Sequence, residues 1–305
     1  MENLAAKTRR CKKQKVNARR RQNRGFAQRM KRVLVFDSGV GGLSVFDALT
    51  ASGVALEFDY AADNAWLPYG LKSDAELRAR VPALLAALAE QWAPDLIVAA
   101  CNTASTIALD AVRAAVSLPV VGVVPPIKPA AALSQSGVIG LLATPATVRR
   151  AYTDDLIAQF AAGKTVVRFG SSALVAEAER RLRGEPAQGE AVAEAIEGLF
   201  GAPGGAEIDV VALACTHFPL LADDLARAAP RACQWLDSGA AIARRVAHLL
   251  SPETGAPRIR RAGFTDARSA RALFPAFSAR GFSVLSQIGD SPRFDTAPIA
   301  DNASA

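Results

Sequence analysis

Short apolar runs alternate with amphipathic stretches along most of the chain. Residues 33–36, 57–61 and 120–124 have the apolar character of buried strands, and residues 43–49 have the spacing of an amphipathic helix. A further strand precedes Cys101, and a helix follows it. This order of strands and helices predicts βα units that build a parallel sheet.

The segment between the second and third of these strands carries a helix-start signal. Ser73 and Glu76 have the S-x-x-E spacing of a capping box, which predicts a helix from there toward Gln91. Pro82 lies inside that stretch, so we expect it either to kink the helix or to mark its true start.

The pattern begins again in the second half of the chain. Residues 138–142 and 166–169 have the pattern of strands, residues 174–182 that of a helix. The two cysteine strands are near copies of each other, Asp95-Leu-Ile-Val-Ala-Ala-Cys101 and Asp209-Val-Val-Ala-Leu-Ala-Cys215. We therefore predict an α/β protein of two pseudo-symmetric parallel-sheet domains, with the active site in the cleft between them, where the carboxyl ends of the strands meet.

Domain boundaries follow from this repeat. We expect residues 33–128 together with about 237–260 to form the first α/β domain, and residues 129–236 to form the second. Residues 261–305 are predicted to be a C-terminal extension with a disordered end, in which residues 282–286 have the pattern of a strand.

Positive charge is concentrated at the start of the chain. Residues 1–32 hold 13 Lys and Arg and one acid, a charge of +12, whereas the other 273 residues carry 23 bases and 28 acids, or −5. We predict that residues 1–32 are a disordered basic extension. Met30, which is followed by Lys31, Arg32 and the first strand, is an alternative native start. The other use of such a segment is nucleic-acid binding.

The composition of the chain indicates in which cellular compartment we expect the protein. No stretch is apolar enough to suggest a membrane span and no secretory signal precedes the first strand, so we expect a soluble cytoplasmic protein without a membrane partner. The spacing of the four cysteines fits neither a disulfide framework nor a zinc site. Cys233 lies in no motif and is expected to be a packing residue.

The two strand-end cysteines suggest proton transfer from two sides. A thiol between a strand end and a helix N-terminus lies near unpaired backbone N–H groups, which lower its pKa and also bind carboxylates. Two such thiols on opposite faces of an amino-acid α-carbon can invert it without a cofactor, because one removes a proton and the other returns one. Donors near the α-carboxylate would stabilise the carbanion character.

Four segments resemble, in order and spacing, the signature segments of glutamate racemases: Asp37-Ser-Gly-Val-Gly-Gly-Leu-Ser44, Pro68-Tyr-Gly70, Ala100-Cys-Asn-Thr-Ala-Ser105 and Cys215-Thr-His-Phe-Pro-Leu220. The resemblance runs from about residue 33 to residue 250. It implies an active site between two α/β domains, no metal, no pyridoxal phosphate or other cofactor, and a homodimer. The implied role is interconversion of L- and D-glutamate, which supplies D-glutamate for peptidoglycan synthesis.

The resemblance also assigns residues. Cys101 matches the base that deprotonates D-glutamate and Cys215 the base that deprotonates L-glutamate. Asp37 is expected near the first thiol, His217 beside the second, and Glu179 is expected to assist the second. The positions that match substrate contacts are Asp37, Ser38, Tyr69, Gly70, Asn102, Thr103, Thr144, Thr147, Thr216 and His217.

Two other functions stay open on the sequence. An aspartate or hydantoin racemase of the same superfamily shares the two-thiol chemistry, and a substrate panel separates it from a glutamate racemase. The second is binding of nucleic acid or DNA gyrase through residues 1–29, since some glutamate racemases are reported to inhibit gyrase. One departure from the resemblance is Pro125-Pro126, where many relatives have Glu-Pro.

Overall fold

The computed structural model describes residues 29–288. The predicted basic extension up to residue 28 and the predicted disordered end from residue 289 therefore lie outside the described residues. The strands of the described part are β1 (Lys31–Asp37), β2 (Leu56–Ala62), β3 (Leu96–Ala99), β4 (Val120–Gly122), β5 (Val138–Ala143), β6 (Thr165–Gly170), β7 (Val210–Ala214), β8 (Gln234–Leu236), β9 (Arg258–Phe264) and β10 (Leu285–Gln287).

Helices connect most of these strands. They are α1 (Leu43–Thr50), α2 (Asp74–Trp92), α3 (Asn102–Ala115), α4 (Ile127–Leu133), α5 (Pro145–Val148), α6 (Ala151–Phe160), α7 (Ala173–Leu182), α8 (Glu190–Phe200), α9 (Ala222–Ala228), α10 (Gly239–Leu250), α11 (Ala267–Ala270) and α12 (Phe274–Ser278). Short 3-10 turns lie at Asn64–Trp66, Tyr69–Leu71, Gly205–Glu207, Phe218–Leu221 and Arg271–Leu273.

The strands form two sheets, and the named strands pair in parallel. The first sheet has the order β10-β9-β2-β1-β3-β4 and the second the order β6-β5-β7-β8. The order β2-β1-β3-β4 of the first sheet is thus repeated in the second, with each strand replaced by its counterpart. The prediction of two pseudo-symmetric parallel-sheet halves is confirmed, and the two cysteines follow equivalent strands, β3 and β7.

Apolar side chains cover both faces of the first sheet. Val33 and Val35 pack in one cluster with the side chains of α1 and α10, while Leu34 and Phe36 pack in another with those of α2 and α3. Because both faces are buried, the strands read as continuous apolar runs rather than as alternating ones. Cys101 and Cys215 lie just past the carboxyl ends of the buried strands β3 and β7.

The bounds of helix α2 show whether Pro82 marks the start of the helix. The helix begins at Asp74, and Ser73 caps it with a full capping box in which Glu76 takes part, so the start signal is confirmed. Pro82 lies inside the continuous helix, and the alternative that it marks the true start is wrong.

Strand β9 was not expected from the sequence. Its arginines interrupt the apolar run, but they lie opposite acidic residues of β2: Arg258 and Arg260 pair with Glu57, and Arg261 pairs with Asp59. The predicted strand at residues 282–286 is found as β10, at Leu285–Gln287. Residues after 260, which we expected to form an extension, thus supply strands to the first sheet. Strand β9 lacks the usual apolar pattern because its charged residues pair with those of β2.

Candidate active site

A cavity of about 350 Å³ lies at the carboxyl ends of the strands, with walls from both halves of the chain. Cys101 and Cys215 both line it. It is also lined by ten other residues that the sequence singled out, namely Asp37, Ser38, Tyr69, Gly70, Asn102, Thr103, Thr144, Glu179, Thr216 and His217. The strand repeat therefore brings the two predicted bases into one site.

Cys101 is the N-cap residue of α3, and the residue is 6% exposed. The Ser38 hydroxyl lies 3.6 Å from its sulfur. Burial raises the pKa of the Cys101 thiol well above its ordinary value, and the nearby Asp37 carboxylate adds to this, although the Ala104 backbone and Ser38 oppose it. The expected lowering by the helix N-terminus is outweighed here, because desolvation of the thiolate costs more than these donors return.

Asp37 and Asn102 present unpaired polar atoms in this site. Asp37 is fully buried, and its Oδ2 accepts a hydrogen bond from the Gly42 backbone N–H at 2.7 Å, whereas its Oδ1 has no hydrogen-bond partner. The Nδ2 of the buried Asn102 has no partner either. Since buried polar groups are almost always hydrogen-bonded, an acceptor and a donor left open in one cavity are suited to a bound polar ligand.

Cys215 has different neighbours. It follows β7 and precedes the 3-10 turn Phe218–Leu221, so the helix expected directly after it is absent from this position and α9 begins only at Ala222. The His217 Nδ1 lies 3.8 Å from the Cys215 sulfur, and its Nε2 lies 3.0 Å from the Glu179 Oε1. The polar group beside the Cys215 sulfur is thus a histidine ring rather than a helix N-terminus.

The His217 ring is held in its charged form. Burial by itself would lower the pKa of His217, but the contacts with Cys215 and Glu179 raise that pKa well above its ordinary value. Burial would likewise raise the pKa of Glu179, yet His217, the Val40 backbone N–H and Arg183 lower it. The two ring nitrogens of His217 thus face the Cys215 sulfur on one side and the Glu179 carboxylate on the other.

Tyr69 contributes its ring to the cavity, while its hydroxyl is occupied elsewhere. The hydroxyl donates to Asp63 Oδ2 at 2.6 Å, and Asp63 also accepts from Arg80 at 2.7 Å and from Thr265 at 2.9 Å. Thr265 directly follows β9, so the C-terminal strands anchor the loop that carries Tyr69.

Thr144 and Thr147 occupy different places. Thr144 lines the cavity and caps α5, whereas Thr147 is fully buried behind it, with its hydroxyl 2.9 Å from the Thr144 hydroxyl. The predicted substrate contact at Thr147 therefore lies outside the cavity lining, and its place is that of a support for Thr144.

Sequence reasoning missed part of the lining. The cavity also contains Leu67, Pro68, Leu71, Pro145, Arg149, Ser172, Val175, Ala176, Arg180 and Arg183. The arginines on or next to α7 had one readable signal, since Arg183 lies one helical turn after Glu179 and such a pair shares a helix face. The apolar members carry no chemical signature and are found only once the fold is known.

The raised pKa of the Cys101 thiol predicts a pH effect on stability. Below its ordinary pKa of 9.0 the thiol is protonated in both the folded and the unfolded chain, and it adds no pH dependence. Above about pH 9 only the unfolded chain ionises, so we expect the free energy of unfolding to fall by up to about 1.4 kcal/mol per pH unit. Urea unfolding at pH 8, 9 and 10 measures this slope.

Cys101→Ala should make that slope shallower. Cys233, whose pKa burial raises to about 11, contributes equally to both proteins. An unchanged slope in the variant would contradict the assignment of the raised pKa to Cys101.

Within residues 29–288, no three His, Cys, Asp or Glu side chains are grouped so that they could hold a metal ion. In the same part of the chain, no helix is both long and apolar enough to cross a membrane.

The amino-acid sequence is similar to those of a known protein family. Residues 48–246 match the family model described as Asp/Glu/Hydantoin racemase. The chain is 51% identical over 268 residues to a glutamate racemase of Sphingopyxis alaskensis, covering 88% of this chain and 93% of that protein.

Solved structures agree. Escherichia coli glutamate racemase, in complex with L-glutamate and the activator UDP-MurNAc-ala, matches with a TM-score of 0.79 and 43% identity, over 85% of this chain and 98% of that one. Francisella tularensis glutamate racemase, in complex with D-glutamate, matches with a TM-score of 0.69 and 25% identity, over 86% and 98%. The chain belongs to the Asp/Glu/Hydantoin racemase family, and its similarity to glutamate racemases makes it an isomerase that racemises an amino acid.

Proposed function

We propose that the chain interconverts L- and D-glutamate by proton transfer between two thiols and the α-carbon, without a cofactor. The observation that carries this proposal is the placement of Cys101 and Cys215 in one cavity at the ends of equivalent strands. The relatives solved with L-glutamate and with D-glutamate support glutamate over aspartate or a hydantoin as the substrate.

In the L-to-D direction, the Cys215 thiolate removes the α-proton and the Cys101 thiol delivers a proton to the opposite face. The neighbours of each thiol suit these roles: the His217 Nδ1 lies 3.8 Å from the Cys215 sulfur, close enough to exchange a proton with it, and burial beside Asp37 raises the pKa of Cys101, which favours its role as the acid. In the D-to-L direction the two thiols exchange roles.

The remaining polar atoms bind the substrate. The open Asp37 Oδ1 accepts from the substrate ammonium, and the open Asn102 Nδ2 donates to a carboxylate. Thr103 and Thr216, which follow the two cysteines, add hydroxyl donors on the two sides. Donors fixed around the α-carboxylate stabilise the carbanion character that develops when the α-proton leaves.

The experiment is incubation of the chain with L-glutamate in D2O, without added cofactor. We expect the optical rotation to decay to zero and one deuterium to enter the α-position, with the same end point from D-glutamate. A parallel panel of L-aspartate and a hydantoin tests substrate choice. A stable signal with glutamate and a decay with another member of the panel would overturn the assignment of glutamate.

Three wider predictions go beyond the reaction. The first is supply of D-glutamate for peptidoglycan, and the E. coli relative's activator UDP-MurNAc-ala is consistent with that role. A cytoplasmic homodimer stays a prediction from the resemblance. Binding of nucleic acid or DNA gyrase by residues 1–29 also stays a prediction, since residues 1–28 lie outside the described part of the chain.

A further inference from the structure

Glu179 touches both halves of the chain beside the second thiol. Its Oε1 accepts from the Val40 backbone N–H at 2.9 Å and lies 3.0 Å from the His217 Nε2. Val40 belongs to the loop after β1, whereas His217 belongs to the loop after β7. The Glu179 Oε1 therefore links the first half of the chain to the histidine that faces Cys215. This link requires the carboxylate to keep the orientation in which Oε1 faces both Val40 and His217.

Arg183 holds the other oxygen of this carboxylate. Its Nη2 lies 3.2 Å from the Glu179 Oε2, and its side chain, which lines the cavity, is 28% exposed while that of Glu179 is 5% exposed. With Oε2 held by a charged donor, Oε1 stays directed at Val40 and His217. Without Arg183, the carboxylate is free to rotate away from the two groups it joins.

We propose that Arg183 is a positioning residue, which holds Glu179 between Val40 and His217 and thereby supports the thiolate of Cys215. The proposal rests on the assignment of Cys215 as a base of the racemisation. It adds to that function a residue that does not touch the reacting carbon and acts through two others.

The charges around the relay agree with this role. Asp37 at the end of β1 interacts electrostatically with both Glu179 and His217, and Tyr60 on β2 interacts with Glu179. Asp37 is a second negative charge near Glu179, so loss of the Arg183 cation leaves two buried carboxylates with less compensation. A carboxylate that becomes protonated or rotates no longer supports the imidazolium, and less thiolate forms at Cys215.

Alkylation by iodoacetamide tests the proposal without relying on turnover, because only the thiolate reacts at a useful rate. In Arg183→Met at neutral pH, we expect Cys215 to be alkylated about tenfold more slowly, roughly the effect of one lost charge-assisted hydrogen bond. Cys101, whose raised pKa keeps it as a thiol at neutral pH, should stay unalkylated in both proteins, and peptide mass spectrometry reads both sites. An unchanged rate at Cys215 would overturn the proposal.

Three variants separate positioning from other effects. Arg180→Met removes the same charge from the same rim of the cavity, but Arg180 pairs with Glu177 and leaves Glu179 intact, so it should keep the wild-type rate at Cys215. Arg183→Lys should restore part of that rate. In a Glu179→Gln background, Arg183→Met should have no further effect, whereas additive slowing would show that Arg183 acts by another route.

Isotope effects extend the test to the reaction. L- and D-glutamate have equal free energies, so Arg183→Met must lower kcat/KM equally in both directions. With α-deuterated substrates, however, slower transfer at Cys215 should raise the isotope effect on kcat/KM for L-glutamate and reduce it for D-glutamate. Equal isotope effects would contradict a role on the Cys215 side. A wild-type chain that does not racemise glutamate would refute the proposed function alone, since alkylation still decides the role of Arg183.

Discussion

Cys101→Ala and Cys215→Ala should each lower kcat for racemisation by at least about 10²- to 10⁴-fold, the usual contribution of a positioned acid or base. Each thiol serves as base in one direction and as acid in the other, so neither direction survives the loss of either. The measurement is the initial rate by circular dichroism with L- and with D-glutamate. Cys233→Ala is the matched control, because Cys233 is half-buried and does not line the cavity.

The single-thiol variants also separate the two sides of the site. A lone base can remove a proton from the enantiomer it faces and return a solvent deuteron to the same face, which gives exchange without inversion. In D2O, we expect Cys215→Ala to exchange only D-glutamate and Cys101→Ala to exchange only L-glutamate. The opposite pattern would reverse the assignment of the two bases, and full racemisation in either variant would refute the two-thiol mechanism.

The halves of the fold were predictable because burial leaves a clear trace in sequence. Strands β1, β3, β5 and β7 are covered on both faces, so they appear as apolar runs, and the copied segments before Cys101 and Cys215 reveal the repeat. Strand β9 left no such trace, since its arginines are matched by Glu57 and Asp59 on a neighbouring strand. Pairing between residues about 200 positions apart is invisible to a local pattern.

The site was predictable in its residues but less so in its electrostatics. The motifs placed Cys101, Cys215 and their flanking donors, yet the helix N-terminus expected beside both thiols is found only at Cys101, where burial outweighs its effect. Burial raises the pKa of Cys101 in spite of α3, and Cys215 is followed by a 3-10 turn and depends on His217 instead. Desolvation and the contact between the two halves arise only in the folded chain, so no motif can report them.

The contact between the halves makes Gly41→Ala a damaging change outside the thiols. A Cβ at this position would lie 2.4 Å from the His217 Nδ1 and 2.7 Å from the Thr216 Oγ1, closer than non-bonded atoms can approach. Gly41 is not among the residues with positive φ, so the alanine backbone is unstrained and the effect is a steric one. Either His217 moves away from Cys215, or the two halves separate at the cavity.

Both outcomes displace a base from the α-carbon, and a displacement of about 1 Å can cost roughly 10²-fold in rate. We therefore expect kcat/KM of Gly41→Ala to fall by about that factor, measured in both directions, and the melting temperature to fall as well, because the added methyl group overpacks a buried contact. Gly189→Ala makes the same chemical change where no atom lies within 4 Å, and it should be neutral. Near-normal turnover in Gly41→Ala would show that the close approach of the first half to His217 is not required for catalysis, and that the thiols work without this contact.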